Sequence, residues 1–446
     1  MTTAKPRGKM NNSYDPAKTA DLNERTRSAV ERRAKLLGPA YRLFYADPVE
    51  VTRAEGVFLY DRYGNEYLDA YNNVVSVGHC HPYVNDRIQE QMAQLCTHTR
   101  YLQDGILDMA DTLLATFENE IGHVMFTCTG SEANDLALRM AKYHTGHEGI
   151  IVTSEAYHGN SELTSGFSPS IGANSRLGTW VRRVPAPDTY RVDTRNLGEW
   201  LATRLSEQIH DLHRHGQGLA AFVADSLFTS DGIFAHDPGI LAPVLKVVRD
   251  AGGIFVADEV QCGLARTGSH MWGYQRHGVV PDIVSLGKPM GNGYPVAGIA
   301  VRPEVAEAFG HDMRYFNTFG GNTVAMAAAR ATLEVIQREN LMRNCAAVGR
   351  QLLDGLNQLV ARDERIGDVR GAGLYYGVEM VRDPHSKIPN GARAAALINE
   401  LRQRRVLISA TGYHGNVLKI RPQLCFQPAH VDRFLTEFEG ALKSVS

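Results

Sequence analysis

Between about residues 120 and 305, short apolar runs alternate with amphipathic stretches: VMFTC at 124–128, GIIVT at 149–153, AAFVAD at 220–225, GIFVAD at 253–258, DIVSLG at 282–287 and AGIAV at 297–301. Strand-length runs separated by helical spacing predict an α/β layer with a largely parallel sheet. Upstream, 22–37 reads as a charged helix stopping at Gly38-Pro39, and 49–71 as a small antiparallel element turning at Gly64-Asn65. Downstream, a long amphipathic stretch at 322–360 breaks near Asn340; GAGLYYGVEMV, a helix near 392–404, VLISATG, NVLKIRPQLCF and a closing helix from Pro428 follow. This last part is expected to form a smaller α+β domain with the N-terminal residues. The expected division is 1–70 as part of the small domain, 71–325 as the large domain and 326–446 as the C-terminal small domain. Residues 1 to about 20 are polar and expected to be mobile unless a partner orders them.

Composition removes several function classes. The 446 residues are 43% hydrophobic and 22% charged, as in folded globular proteins. Lys plus Arg number 47 against 49 Asp plus Glu, with no polybasic run suited to many phosphates, so no nucleic-acid partner is expected. The N-terminal stretch lacks the apolar segment of a signal peptide and no run of about 20 apolar residues occurs, so no membrane partner is expected either. Six scattered cysteines without a CxxC pair suggest reduced thiols and a cytoplasmic location.

Three strand ends carry chemistry. In TCTGSEANDLALRMAKYH a strand gives way to a helix after Gly130-Ser131, where free N–H groups, a hydroxyl and the helix dipole can hold an anion; an ordinary Ser131 N-cap is the alternative. In GGIFVADEVQCGLARTG a strand emerges at Asp258-Glu259, placing a carboxylate where α/β proteins bind ligands; a helix cap, a salt-bridged acid or a metal ligand would look the same. In PDIVSLGKPMGNGYPVAG, Lys288 is set among Gly287, Pro289, Gly291 and Gly293, a crowded setting that suits an amine meant to lose its proton. Neighbours in His79-Cys80-His81 diverge on a strand and lack a spaced fourth ligand, so no metal is expected; His213 and His215 are expected to face solvent.

In this order and spacing, with Asp258 thirty residues before Lys288, the three segments resemble the class III pyridoxal-phosphate aminotransferase-like enzymes of fold type I, over nearly the whole chain from Pro39. The resemblance implies pyridoxal 5'-phosphate as cofactor, bonded to Lys288, with Asp258 paired to the ring nitrogen as part of the electron sink. It further implies Gly130 and Ser131 at the cofactor phosphate, Tyr157 on the ring face with His158 nearby, and Gln261 near the ring hydroxyl. Thr318, in NTFGGN, matches a phosphate contact donated across a homodimer interface. Thr323 departs from the proline usual after GGN, a difference that concerns a helix start.

Within the family most members are transaminases, and an ω-amine or amino-acid:pyruvate transaminase is the alternative reading. Lys419 stands where many relatives have a carboxylate-clamping Arg, and Ser230 where several have the Glu that gates it. YNNVVSVGHCHP, NTFGGN and VLISATGYHGNVLKIRPQLCF resemble the ethanolamine-phosphate and 5-phosphohydroxylysine phospho-lyases. That resemblance implies β-elimination from a small phosphorylated amine: Lys288 removes a Cα proton and phosphate leaves Cβ, giving acetaldehyde, ammonia and phosphate from O-phosphoethanolamine. A departing phosphate calls for positive charge. Lys419 and Arg421, which share a strand face, are the candidates, with Arg42 behind them; the resemblance implies Asn72, Phe44 and Tyr45 at the substrate entrance. A solvated strand face or a salt bridge to the closing helix is the alternative for the pair, as packing is for Phe44 and Tyr45.

Overall fold

The computed structural model describes residues 10, 12–235 and 238–445. Helix α1 (Glu24–Leu37) precedes a meander of β1 (Val51–Glu55), β2 (Phe58–Asp61) and β3 (Glu66–Asp69), then helices α2 (Pro82–Gln94) and α3 (Asp104–Leu114). The alternating region contains β4 (His123–Thr127), α4 (Gly130–Thr145), β5 (Gly149–Thr153), α5 (Glu162–Ser165), β6 (Val181–Val184), α6 (Leu197–Arg214), β7 (Leu219–Ala224), α7 (Leu241–Asp250), β8 (Ile254–Asp258), β9 (Ile283–Leu286), β10 (Ala297–Val301) and α8 (Pro303–Asp312). The remainder is α9 (Thr323–Arg338), α10 (Leu341–Val360), β11 (Ile366–Ala372), β12 (Tyr375–Met380), α11 (Gly391–Gln403), β13 (Val406–Leu407), β14 (Ser409–Thr411), β15 (Val417–Ile420) and α12 (Pro428–Ser444).

Seven strands form the central sheet in the order β4-β10-β9-β8-β7-β5-β6. One strand, β10, is reversed, pairing antiparallel with β4 and β9, while the other pairs are parallel. Strands β5, β7, β8, β9 and β10 are buried at every position, which explains why they read as unbroken apolar runs. Strand β6, VRRV, sits at the sheet edge with Arg183 exposed, and its charges hide it from hydrophobic patterning. The parallel strands open their carboxyl ends on one side, and the loops leaving β5, β7, β8 and β9 meet there.

Two smaller sheets lie beyond it, β1-β2-β3-β13 and β11-β12-β15-β14. In the first, β13 pairs in parallel with β3, Val406 opposite Leu68 and Leu407 opposite Asp69. Of the stretch expected to be mobile, 1–9 and 11 lie outside the described residues, but 12–21 are ordered, contrary to that reading. Asn12 and Tyr14 are buried: the Tyr14 N–H donates to Leu43 O at 2.9 Å, the Tyr45 N–H to Asn12 O at 2.8 Å, and the Ser409 hydroxyl to Asn12 Oδ1 at 3.1 Å. Pro16–Asp21 then forms a 3-10 helix capped by Asp15. A polar segment is held here by partners distant in the chain, which local composition does not reveal.

The break near Asn340 is a left-handed residue, φ 53°, between α9 and α10. Thr323 opens α9, and its hydroxyl donates to Leu95 O at 2.5 Å, a bond that proline at this position would not make. No helix among the described residues is long and apolar enough to cross a membrane.

Helix α10 packs on the turn that delivers β12 to the centre of the molecule. A Cβ on Gly349 would lie 2.0 Å from the carbonyl oxygen of Gly373, and the Tyr376 hydroxyl donates to the Gly349 carbonyl at 3.0 Å. Gly349→Ala is therefore expected to destabilise the protein by about 1–3 kcal/mol, read as a fall in the midpoint of thermal unfolding.

Candidate active site

A cavity of about 150 Å³ opens at the carboxyl edge of the sheet, lined by residues from five loops: Gly130, Ser131 and Asn134; Tyr157, His158 and Gly159; Asp225; Asp258, Val260 and Gln261; and Lys288. The structure thus gathers every cofactor-site residue expected from the sequence except Thr318.

At one end is the start of α4. Its cap is Thr129, whose hydroxyl accepts the Glu132 N–H at 3.2 Å while the Glu132 carboxylate takes the Thr129 N–H at 3.0 Å. This corrects the ordinary-cap alternative for Ser131, which lies at the second helical position. The Ser131 hydroxyl exchanges hydrogen bonds with Asn160, donating to Oδ1 at 3.0 Å and accepting from the N–H at 3.1 Å. The N–H groups of Gly130 and Ser131 have no acceptor among the described residues, so the positive helix end is presented to the cavity. Gly159 closes over it. With φ 142° and a Cβ that would sit 2.7 Å from Ser131 Oγ, this position admits only glycine.

Asp258 ends β8 and is 4% exposed. Burial by itself raises a carboxyl pKa, yet this one is held below its ordinary value by His158, Asn134 and the Lys288 charge. Its Oδ2 accepts from His158 Nδ1 at 2.7 Å and Asn134 Nδ2 at 2.9 Å, and its Oδ1 from the Val260 N–H at 3.1 Å. Glu259 does not act beside it. That side chain accepts the Gly273 N–H at 2.6 Å, the Tyr274 N–H at 2.9 Å and the Ser226 hydroxyl at 2.5 Å, and so pins neighbouring backbone. The two neighbouring acids thus part, Asp258 lining the cavity and Glu259 bracing backbone away from it.

Lys288 begins a 3-10 turn at φ 36°, a conformation rare for a residue with a side chain and held by the glycines and proline around it. Burial first, then the Arg421 charge, lower its pKa to about 8, against the pull of Asp258 and Asp225. Tyr157 is 39% exposed and presents its ring to the cavity.

Behind Gln261 lies a buried cationic cluster. Gln261 Oε1 accepts from Arg421 Nη1 at 2.6 Å, Lys419 Nζ at 3.3 Å and the Tyr375 hydroxyl at 3.3 Å. Its Nε2 donates to Thr229 Oγ1 at 2.9 Å, and the Thr229 hydroxyl donates to Asp225. Arg421 is further fixed by a 2.8 Å bond from Nε to Tyr71 O and by lying 4.4 Å over the Tyr71 ring. With Lys419 8% and Arg421 6% exposed, neither a solvated face nor a bridge to α12 describes the pair. Lys419, crowded by Arg421 and Lys288 in a buried place, is pushed well below the usual lysine range.

Other expected residues lie elsewhere. Arg42 is exposed and outside the cavity lining, and Asn72 is half-buried, with its carbonyl accepting from Gln423 Nε2 at 3.4 Å. Phe44 packs edge-on to Tyr71 at 5.6 Å, and the Tyr45 hydroxyl donates to Ile408 O at 3.1 Å, as expected of packing residues. Thr318 is exposed on the loop between α8 and α9, near the exposed rings of Phe316 and Phe319. Ser230 joins its loop to β14 by accepting from the Gly412 N–H at 3.2 Å. His79 pairs with buried Asp69 at 2.8 Å, and His81 reaches Glu339 at 3.0 Å, so the two diverge. His213 and His215 are exposed at the end of α6.

Sequence reasoning missed Asn134, Thr229, Tyr375 and Tyr71. Asn134 was within reach of it, since it follows Gly130 by four positions and so shares its helix face. An amine with a pKa near 8 is neutral above that pH and protonated below it. In protein stripped of bound cofactor, peptide-resolved labelling with an amine-reactive reagent is expected to modify Lys288 with a midpoint of about 8, whereas exposed lysines respond only near their ordinary value of about 10.4.

Comparison with known proteins places this geometry. The profile of the Aminotransferase class-III family matches residues 44–442. A Drosophila melanogaster protein named "Alanine--glyoxylate aminotransferase 2-like" is 39% identical over 93% of this chain and 87% of its own. The Caenorhabditis elegans "Ethanolamine-phosphate phospho-lyase homolog 1" is 36% identical, covering 96% of each. Among solved structures, an Arthrobacter phospholyase in complex with phosphoethanolamine superimposes with a TM-score of 0.91 at 38% identity, over 94% of this chain and all of that one.

Proposed function

The chain belongs to the class-III aminotransferase family, and within it we propose a pyridoxal 5'-phosphate-dependent lyase that eliminates phosphate from O-phosphoethanolamine. The observation that carries the reading is the buried Lys419–Arg421 pair on one neutral acceptor, Gln261, with Arg421 close enough to Lys288 to lower its pKa. Positive charge gathered without a paired carboxylate is suited to a doubly charged phosphate. The phospho-lyase names carried by two of the matching relatives point the same way.

The residues present fit the cofactor. The free N–H groups of Gly130 and Ser131, the Ser131 hydroxyl and the glycine-tight approach of Gly159 would hold its phosphate. Ionised Asp258 would pair with the ring nitrogen, Tyr157 would cover a ring face, and the amine of Lys288 would bond to the aldehyde. When bound, the cofactor supplies an electron sink that acidifies the Cα–H of the substrate.

The protein's own part is positional and acid–base. Lys288 is neutral often enough near pH 8 to accept the Cα proton. Arg421, fixed by the Tyr71 carbonyl and ring, holds the phosphate at a set distance from that base. Phosphate leaves Cβ, and water completes the conversion to acetaldehyde and ammonia without a keto-acid partner.

We further infer a homodimer, with the loop bearing Thr318 serving the neighbouring site. Support comes from the exposed Phe316, Phe319, Tyr101 and Leu102, an apolar surface suited to a second copy. Six unpaired cysteines favour a cytoplasmic location. A transaminase is the competing reading, in keeping with the name of the Drosophila relative.

The deciding assay incubates purified, cofactor-loaded protein with O-phosphoethanolamine, with and without pyruvate. Equal release of phosphate and acetaldehyde in both is expected; alanine formed from amines plus pyruvate, with no phosphate, would establish the transaminase. Lys288→Ala is expected to lose activity by at least about 10,000-fold, the top of the range that removing an acid–base group typically costs, because its bond to the cofactor is lost as well.

A further inference from the structure

We propose that Lys419 is the acid that protonates the phosphate as it departs, while Arg421 only holds it. The assignment rests on the phospho-lyase reading and adds a catalytic residue to it. Breaking the Cβ–O bond of a phosphate monoester dianion puts an electron pair on oxygen and would leave a trianion, a poor leaving group near neutral pH. A proton delivered to that oxygen during cleavage yields hydrogen phosphate instead.

The groups around Gln261 differ in their ability to deliver it. Arg421 does not release protons, and two of its contacts fix it on Tyr71. Lys288 is receiving the Cα proton at that moment. The Thr229 hydroxyl is committed to Asp225, and burial makes the Tyr375 phenol a weaker acid than usual. Lys419 remains. Its amine touches the same oxygen as Arg421, by a single bond of 3.3 Å, and is otherwise free to turn toward a ligand.

The charges facing Lys419 favour release. Arg421 directly follows its own strand, Lys288 is on the loop after β9, and Asp225 on the loop after β7; Tyr375 of β12 places its ring 5.9 Å from the amine, and β14 sets the neutral Ser409 opposite in register. Two cations therefore face it against one acid. A dianionic phosphate arriving at the cluster favours a charged Lys419. When Lys288 then gains the Cα proton, its new charge drives a proton off Lys419. The step balances: the Cα–H pair becomes the second bond of Cα=Cβ, and the Cβ–O pair stays with oxygen. Lys288 gains one proton and Lys419 gives one to the phosphate, which leaves as hydrogen phosphate.

The test compares two esters. Sulfate leaves ethanolamine O-sulfate as a stable dianion and needs no proton, whereas phosphate does. Lys419→Arg in the cofactor-loaded protein keeps the charge but withholds the proton. Phosphate release is expected to fall about 100-fold or more, sulfate release no more than threefold, and binding of inorganic phosphate by calorimetry no more than threefold. The wild-type rate on phosphoethanolamine should fall as pH rises and Lys419 loses its proton, and the variant should lack that limb. If Lys419→Arg does not fold, Lys419→Gln serves: losing the charge weakens binding of both esters, so the contrast is read on kcat alone, expected to fall about 100-fold or more for phosphate release and no more than threefold for sulfate release.

Equal losses on both esters, or phosphate release within threefold of wild type, would overturn the assignment while leaving the phospho-lyase reading intact. A wild-type protein that releases no phosphate would overturn both.

Discussion

A carboxylate shut away from water stays ionised only when its surroundings replace the hydration it has lost. Asp258 meets that condition through His158, Asn134 and the backbone of Val260, and the arrangement fixes the positions of many other residues. Asn134 belongs to the first turns of α4, so the same bond that steadies the carboxylate also locates the helix start whose N–H groups face the cavity. Asn134 further donates to the carbonyl of His158 at 2.8 Å, tying down the loop that carries Tyr157 and Gly159. Anion cradle, ring-facing tyrosine and buried acid are thus one connected unit.

The second unit reaches the cavity from a different part of the chain. Strand β15 is held between β12 and β14, and its register sets Lys419 opposite Gly377 and Ser409, neighbours too small to deflect the amine. Gln261 is the hinge between the units. It follows Asp258 by three residues, yet its amide is oriented by Thr229 on one side and by three donors on the other. The acid that serves the ring and the cations that serve the substrate are therefore coupled through one short loop.

Much of this was legible in the sequence, for a physical reason. Fully buried parallel strands must be apolar along their whole length, so their ends are easy to find, and a carboxylate or lysine placed there stands out. Asp258 and Lys288 were visible in that way. Thr129 was not seen as the cap because Ser131 satisfies the same local rule, and only geometry separates them. Tyr71 and Tyr375 carry no local signal. Each matters through a contact with a residue far along the chain, and such contacts depend on strand pairing that no short window contains. The ordering of Asn12 and Tyr14 against β14 and the 43–45 segment has the same origin.

The parallel pairing of β13 with β3 bears on how the protein is made. Strand β3 emerges from the ribosome more than 330 residues ahead of its partner, so the first sheet waits for almost the entire chain before its edge is covered. The turn after β3, which supplies the Tyr71 carbonyl to Arg421, is in the same position. The central layer, whose strands lie close together in sequence, can assemble during synthesis, whereas the substrate side closes after it. A nascent chain therefore passes through an interval with a finished sheet and an exposed β3 edge, and this interval is when it depends most on chaperones.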